Sequence, residues 1–410
     1  MDSESVRPLP GVPTRWRYTG RVQRHVHGEP DGAMGRLVRH PWRPYKAQLP
    51  ARRSLAILRY PLGRRALTGP EGQLIPLNGP VAVPPKDEGK PGSVLDAVEG
   101  GPLAGAVPGI VQGLTAKQKK ISPRYFYDSM GSSLFERITQ LPDYYLARSE
   151  NVLIERTVDA IVRQVAPQEV LELGTGSSKK IRQILDACSQ TELPRYTAFD
   201  IDRGAVTTAV ETIGQAYPGI DARGVVGDFE KHLSLLPQSP GRRLVVFFGG
   251  TIGNLDPWPR RRFLANVRTL FGPRDRFLLG VDLKKEPHVL EAAYNDAEGI
   301  IAEFNRNILN VVNRMVDANF DPGAFRHQAI WNEDDARIEM HLIAETRQEI
   351  FLGAGDIAIT VEPGETIWTE SLYKFTRSGA QGMLEEAKMR LDAWHTDSMF
   401  GLALAAPDGS

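Results

Sequence analysis

The sequence predicts an α/β protein: a Rossmann-like, doubly wound parallel sheet with a smaller α+β unit after it. Three observations carry this. From residue 168 onward, short apolar runs alternate with amphipathic stretches of helical length, the pattern of repeated βα units. The runs are apolar throughout rather than alternating, as strands covered on both faces are. Several end in an acidic residue or a glycine, at the strand ends where ligands of such sheets sit.

The 410 residues suffice for about two to three domains. Formal net charge is zero, which gives no support to nucleic-acid or membrane binding. Cys188 is the one cysteine, so an intramolecular disulfide and a cysteine metal cluster are excluded, and a cytoplasmic protein without a metal site is expected. No apolar run approaches the roughly 20 residues that span a bilayer. The first residues lack the pattern of a secretory signal.

Residues 1–104 differ from the rest. They hold about half of the prolines and, within the first 80, 14 Lys/Arg against 5 Asp/Glu. They read as a low-complexity extension expected to be disordered. Trp16-Arg17-Tyr18 and Arg39-His40-Pro41-Trp42-Arg43 interleave basic and aromatic residues, so a binding arm for nucleic acid or a protein is the alternative. Asp2 and Glu4 argue against a transit segment.

A short helix or linker is expected over 103–121, then a helix from a Ser149 cap through Val165. Strands follow at 168–173, 196–199, 222–226, 243–248 and 276–281, with helices at 203–217 and 259–271 between them. A long helix is expected over 294–316. The alternation of 329–332 and 338–344 around Glu333-Asp334-Asp335 predicts a hairpin. Further strands are expected at 357–361 and 373–375, a helix at 379–393 and a last strand at 400–406.

The chemistry gathers at strand ends. Gly174-Thr175-Gly176 lets the backbone approach a ligand closely. Asp200, ending the next strand, can accept both hydroxyls of a ribose. Asp228 and Phe229, ending the third, suit an exocyclic amine and a purine face. The third glycine of a dinucleotide fingerprint is missing, because Lys179 stands in its place. S-adenosylmethionine carries no phosphates and needs only the shorter turn, with Glu172 suiting its cationic end. A methyltransferase is therefore preferred to a dehydrogenase.

With Tyr125-Phe126-Tyr127-Asp128, Leu141-Pro142-Asp143-Tyr144-Tyr145, Glu172-Leu173-Gly174-Thr175-Gly176, Gly227-Asp228-Phe229-Glu230, Gly249-Gly250-Thr251-Ile252-Gly253-Asn254-Leu255, Phe304-Asn305-Arg306-Asn307 and Arg337-Ile338-Glu339-Met340, the chain resembles the S-adenosylmethionine-dependent histidine Nα-methyltransferases, which make hercynine, the trimethylated betaine of histidine, for ergothioneine synthesis. The resemblance runs from about Gly105 to Ala406. It implies a methyltransferase core over 105–295 and 380–410, with 296–379 as the substrate-binding domain. It implies S-adenosylmethionine at Gly174, Lys180, Asp200, Asp228 and Phe229. Asn254 and Tyr294 would hold the substrate carboxylate, Tyr127 and Tyr144 would line the amine pocket, and Met340 and Glu370 would belong to the side-chain pocket.

One position departs. Two residues after Glu370 the family carries a serine that bonds the imidazole, and this chain has Leu372. A leucine cannot make that bond, which relaxes discrimination and leaves tryptophan, tyrosine or a related amino acid open. Ser371 can compensate if the strand bulges. Gly250, where relatives often carry serine, points the same way.

The expected reaction is in-line displacement by a neutral α-amine, with positioning as the main contribution of the protein. Tyr127 or a water is the expected proton acceptor. The partner is a small amino acid, and a monomer is expected.

Overall fold

The computed structural model describes residues 90–97, 106–176, 178–229, 231–236 and 239–409, and the strands within 58–76. Strands β1 (Leu58–Arg59), β2 (Arg65–Thr68) and β3 (Leu74–Pro76) form a small antiparallel sheet. Strand β4 (Val94–Asp96) pairs in parallel with a strand of the main sheet. The extension expected to be disordered therefore contains strands of two to four residues, too short for periodicity to register. The basic–aromatic stretches at 16–18 and 39–45 lie outside the described residues.

Helix α1 (Ala106–Thr115) and the short strand β5 (Lys119–Lys120) precede α2 (Ser129–Ile138), whose N-cap Asp128 accepts from the Gly131 N–H at 2.8 Å. Helix α3 (Tyr145–Val165) begins four residues before the expected Ser149 cap. The buried side chains of Tyr145 and Leu146 hold this first turn in the helix, which puts Glu150 in the helix interior.

The expected βα units follow: β6 (Glu169–Leu173), α4 (Lys179–Ser189), β7 (Arg195–Asp200), α5 (Arg203–Ala216), β8 (Ala222–Val226), β9 (Arg243–Phe247), α6 (Pro257–Thr269) and β10 (Arg276–Asp282). Next come α7 (Pro287–Ala292) and α8 (Ile300–Val316). Helix α8 starts later than expected because the Asp296 carboxylate accepts the Ile300 and Ile301 N–H groups, each at 2.8 Å. Tyr294 is thereby left outside the helix.

Strands β11 (Phe325–Asn332), β12 (Arg337–Ala344), β13 (Gln348–Leu352), β14 (Ile357–Val361) and β15 (Thr366–Tyr373) are followed by α9 (Arg377–Glu386), β16 (Met389–Thr396) and β17 (Phe400–Pro407). The helix expected to reach residue 393 stops at Glu386. Lys388 takes φ +61°, which breaks the helix, and the chain turns back as β16.

The main sheet has the order β16-β17-β10-β9-β6-β7-β8-β4. The strands from β4 to β10 within it run parallel, and β17 lies antiparallel between β10 and β16. Every residue of β6 is buried, with Val170 facing the cluster of α3, α4 and α5 and Leu171 and Leu173 facing that of α6 and α9. Glu169 is buried in the same strand, where the Arg243 guanidinium of β9 pairs with it at 2.8 Å.

A second sheet has the order β11-β12-β15-β5. Its apolar face, α8 and residues 110–146 share one core. The N-terminal helical segment thus packs with residues 296–379, although the sequence groups it with the main sheet. Strand β15 carries a bulge. Met340 pairs with Glu370 and His341 with Trp368, so Thr369 is the extra residue, its hydroxyl donating to the Met340 carbonyl at 3.0 Å.

Candidate active site

The turn after β6 stands at the carboxyl end of the central strand. Gly174 has φ +78°, a conformation a side chain would strain, and its N–H donates to the Phe199 carbonyl at 2.8 Å. A Cβ on Gly176 would meet nothing within 4 Å, so open space lies over the turn. The neighbouring strand ends in Asp200, whose carboxylate accepts the Thr175 and Asp202 N–H groups at 2.8 and 2.9 Å. Burial raises the Asp200 carboxyl to about 6, against the pull of those N–H groups.

Asp228, after β8, lies 3.5 Å from the Arg124 guanidinium. Phe229 packs edge-on against Phe247 and Phe263, at 5.7 and 5.2 Å between centroids. Lys180, in the first turn of α4, pairs with Glu150. Glu150 is fully buried, accepts the Gly249 N–H at 2.9 Å, and so ties the α4 turn to the loop after β9. Glu172, expected to suit the cationic end of the cofactor, instead accepts the Tyr196 hydroxyl at 2.6 Å within the core, because on a fully buried strand its side chain points under α3 and α4. Burial raises it to about 7.

A cavity lies at the ends of β9 and β10, between the loop after β9 and strands β12 and β15. Tyr127, Tyr144, Asn254, Tyr294, Met340, Glu370 and Leu372 all line it, so the structure brings together every residue the sequence assigns to substrate. Gly253 lets the loop carrying Asn254 press against β15, since a Cβ there would stand 2.8 Å from the Tyr373 carbonyl oxygen. The Asn254 amide then donates to Glu370 at 2.9 Å. Burial pushes Glu370 up to about 8, with the nearby Lys374 opposing.

The Thr369 bulge decides which side chains reach the cavity. Ile367 faces the core; past the bulge Glu370 and Leu372 take up that face, and Ser371 turns to the other. The bulge therefore keeps Leu372 in the wall and does not let Ser371 replace it.

Tyr144 meets Tyr294 edge-on at 5.9 Å and Phe135 at 6.4 Å. Tyr127 keeps 40 % of its surface exposed. Its low-polarity surroundings, then the Glu370 and Asp200 carboxylates, push its phenol above the ordinary range. A phenol so held stays neutral, which weighs against Tyr127 as the proton acceptor and leaves it a hydrogen-bonding and packing role.

Sequence reasoning missed a buried charge cluster at the wall of the cavity. Asp282, at the end of β10, accepts from the Tyr145 hydroxyl at 2.9 Å and pairs with Lys285 at 2.6 Å and Lys374 at 2.7 Å. Lys374 also donates to the Tyr294 hydroxyl at 3.0 Å. Asp282 was visible as a strand end; nothing in the sequence joins it to residues about 90 positions away.

A parallel sheet with a short glycine turn, an acidic second-strand end and an aromatic third-strand end, with no pyrophosphate-binding glycine, defines a Rossmann-like S-adenosylmethionine-dependent methyltransferase. The open space over Gly176 beside the Asp200 carboxylate fits that cofactor. The chain belongs to the family of histidine-specific, S-adenosylmethionine-dependent methyltransferases, whose family model matches residues 107–407. It is 45 % identical over 296 residues to a histidine N-alpha-methyltransferase of Mycolicibacterium smegmatis, covering 72 % of this chain and 92 % of that one. A histidine N-alpha-methyltransferase of Mycobacterium tuberculosis is 40 % identical over 300 residues, covering 72 % and 93 %. Ergothioneine biosynthesis protein 1 of Schizosaccharomyces pombe is 25 % identical over 287 residues, covering 67 % of this chain and 37 % of that protein.

Proposed function

We propose that the chain methylates the α-amine of free L-histidine, up to the trimethylated betaine, as a step toward ergothioneine. The observation that carries this reading is one cavity, at the carboxyl ends of the parallel strands, lined by Asn254 from the main sheet and by Met340 and Glu370 from the second. S-adenosylmethionine supplies the methyl group, carried on a sulfonium. Asp200, Asp228 and Phe229 hold the ribose and the adenine, with Gly174 admitting the backbone and Lys180 fixing the start of α4.

Asn254 and Tyr294 donate to the substrate carboxylate, which requires Asn254 to leave Glu370. Glu370, raised toward 8, is largely protonated at neutral pH and can donate to an imidazole nitrogen. The neutral phenols of Tyr127 and Tyr144 accept amine N–H bonds, and their ring faces stabilise the growing ammonium charge. Residues 296–379, with the helical segment 106–146 packed on them, serve as the substrate-binding unit. No helix among the described residues is long and apolar enough to cross a membrane. A monomer in the cytoplasm is the working assignment.

The histidine-named relatives and a buried glutamate facing the cavity favour histidine over tryptophan or tyrosine, despite Leu372. The test is to incubate the protein with S-adenosylmethionine and a panel of amino acids and to read methylated products by mass spectrometry. Histidine gaining 14, 28 and 42 mass units, one step per methyl (about 14 each), is expected, in keeping with positioning-driven transfer. A shift on no amino acid defeats the reading, and a shift on tryptophan or tyrosine alone replaces the substrate.

A further inference from the structure

We infer that Lys374 is a positioning residue for the substrate carboxylate: it turns the Tyr294 hydroxyl to donate into the cavity and places a positive charge behind it. This rests on the amino-acid reading above. Lys374 is a lysine almost without exposure, 1 % at its side chain, in the wall of the cavity. Its ammonium donates to the Tyr294 oxygen at 3.0 Å and stands 4.7 Å over the Tyr294 ring. A phenol that accepts at its oxygen from an ammonium keeps its own hydrogen for another acceptor. On the cavity side of the tyrosine, that acceptor is the substrate carboxylate.

The charges around it point the same way. From β10 and the segment after it, Asp282 and Lys285 face Lys374; from α3 comes Tyr145, and from β15 itself Glu370. Asp282 is shared between Lys285 and Lys374, so the Lys374 ammonium has no carboxylate to itself. Buried charge is costly without a partner, and a single substrate carboxylate in the cavity supplies it. The Asp282 carboxylate keeps Lys285 and Tyr145 as partners when Lys374 is replaced, so the cluster is not emptied by the substitution.

The test compares histidine with histamine, which lacks the carboxylate, by calorimetric titration of the full chain saturated with S-adenosylhomocysteine. In Lys374→Met, histidine binding is expected to weaken by about tenfold to a hundredfold, the range for a hydrogen bond to a charged group. Histamine binding and S-adenosylhomocysteine affinity are expected to stay within about twofold, and Lys374→Arg to restore most of the preference. Lys374→Gln keeps an N–H for Tyr294 but loses the charge, and serves if the methionine variant does not fold. It too is expected to lose at least about tenfold on histidine alone. Equal losses on both ligands, or no loss on histidine, overturn the role of Lys374. Wild-type protein that binds the two ligands equally overturns the amino-acid reading along with it.

Discussion

Glu150→Ala should lower stability and weaken the cofactor site together. The carboxylate is fully buried; it accepts the Gly249 N–H and pairs with Lys180, whose side chain keeps 20 % of its surface exposed. Removing one member of a buried pair costs about 3–5 kcal/mol. Lys180 retains some access to water, which places the cost near the low end, and the orphaned Gly249 N–H already accounts for about 1–3 kcal/mol. About 3 kcal/mol corresponds to a fall in Tm of about 4–5 °C for a unit the size of Val83–Ser410. Gly280 offers an independent check. A Cβ there would stand 2.2 Å from a Glu150 oxygen, so Gly280→Ala alone should cost about 1–3 kcal/mol by overpacking. In the double variant the new methyl fills space the carboxylate has vacated, so the two losses should fall short of additive by at least about 0.5 kcal/mol. The assays are urea unfolding and calorimetric S-adenosylmethionine binding. A loss below about 1 kcal/mol in Glu150→Ala, or strict additivity, refutes the clamp.

Other expectations are briefer. Glu370 is raised from 4.5 to about 8, so the folded state binds the proton more tightly than the unfolded chain. The stability this adds is complete below pH 4.5 and is lost as pH rises through 8; the Tm of wild type minus that of Glu370→Gln should therefore fall across this window, and a difference that rises with pH contradicts the burial argument. Leu372→Ser should shift competition between histidine and tryptophan toward histidine by about tenfold in kcat/KM, since a buried hydroxyl rewards a ligand that bonds it. It should also cost about 1–2 kcal/mol of packing, part of a full Leu truncation because Leu372 is only partly buried. Deleting 1–89 should leave Tm and methyl transfer unchanged, whereas deleting 1–104 removes β4, bares the edge of β8 and lowers Tm. Equal Tm in the two truncations would show β4 to be dispensable.

The parallel strands were legible because each is a continuous apolar run closed by a turn residue. Gly174, Asp200, Asp228 and Phe229 were legible because a strand end fixes where its last side chain stands. Strand β16 was misread as helix: Met389, Leu391 and Ala393 alternate with Arg390 and Asp392, but the composition favours helix, and the register shift at Leu391–Ala393 blurs the period. The start of α3 was misread because it depends on the burial of Tyr145 rather than on a cap. The Asp282–Lys285–Lys374 cluster and the Gly280 gap that admits Glu150 were not legible at all. Their partners are brought together only by the tertiary fold, and a lysine in a sequence looks the same whether solvated or buried.

The bulge at Thr369 makes the two halves of β15 independent in phase. Upstream, Ile367 packs into the core and Trp368 stacks on His341; downstream, Glu370 and Leu372 meet the substrate space. Deleting residue 369 would remove the extra residue and close a regular ladder, with Glu370 still opposite Met340 and Leu372 still opposite Ile338; straightening the bulge without shortening the strand would instead turn Ser371 inward and Glu370 and Leu372 outward. Substrate choice in this chain thus rests on a bulge held by the bond from the Thr369 hydroxyl to the Met340 carbonyl, as well as on the side chains of the pocket.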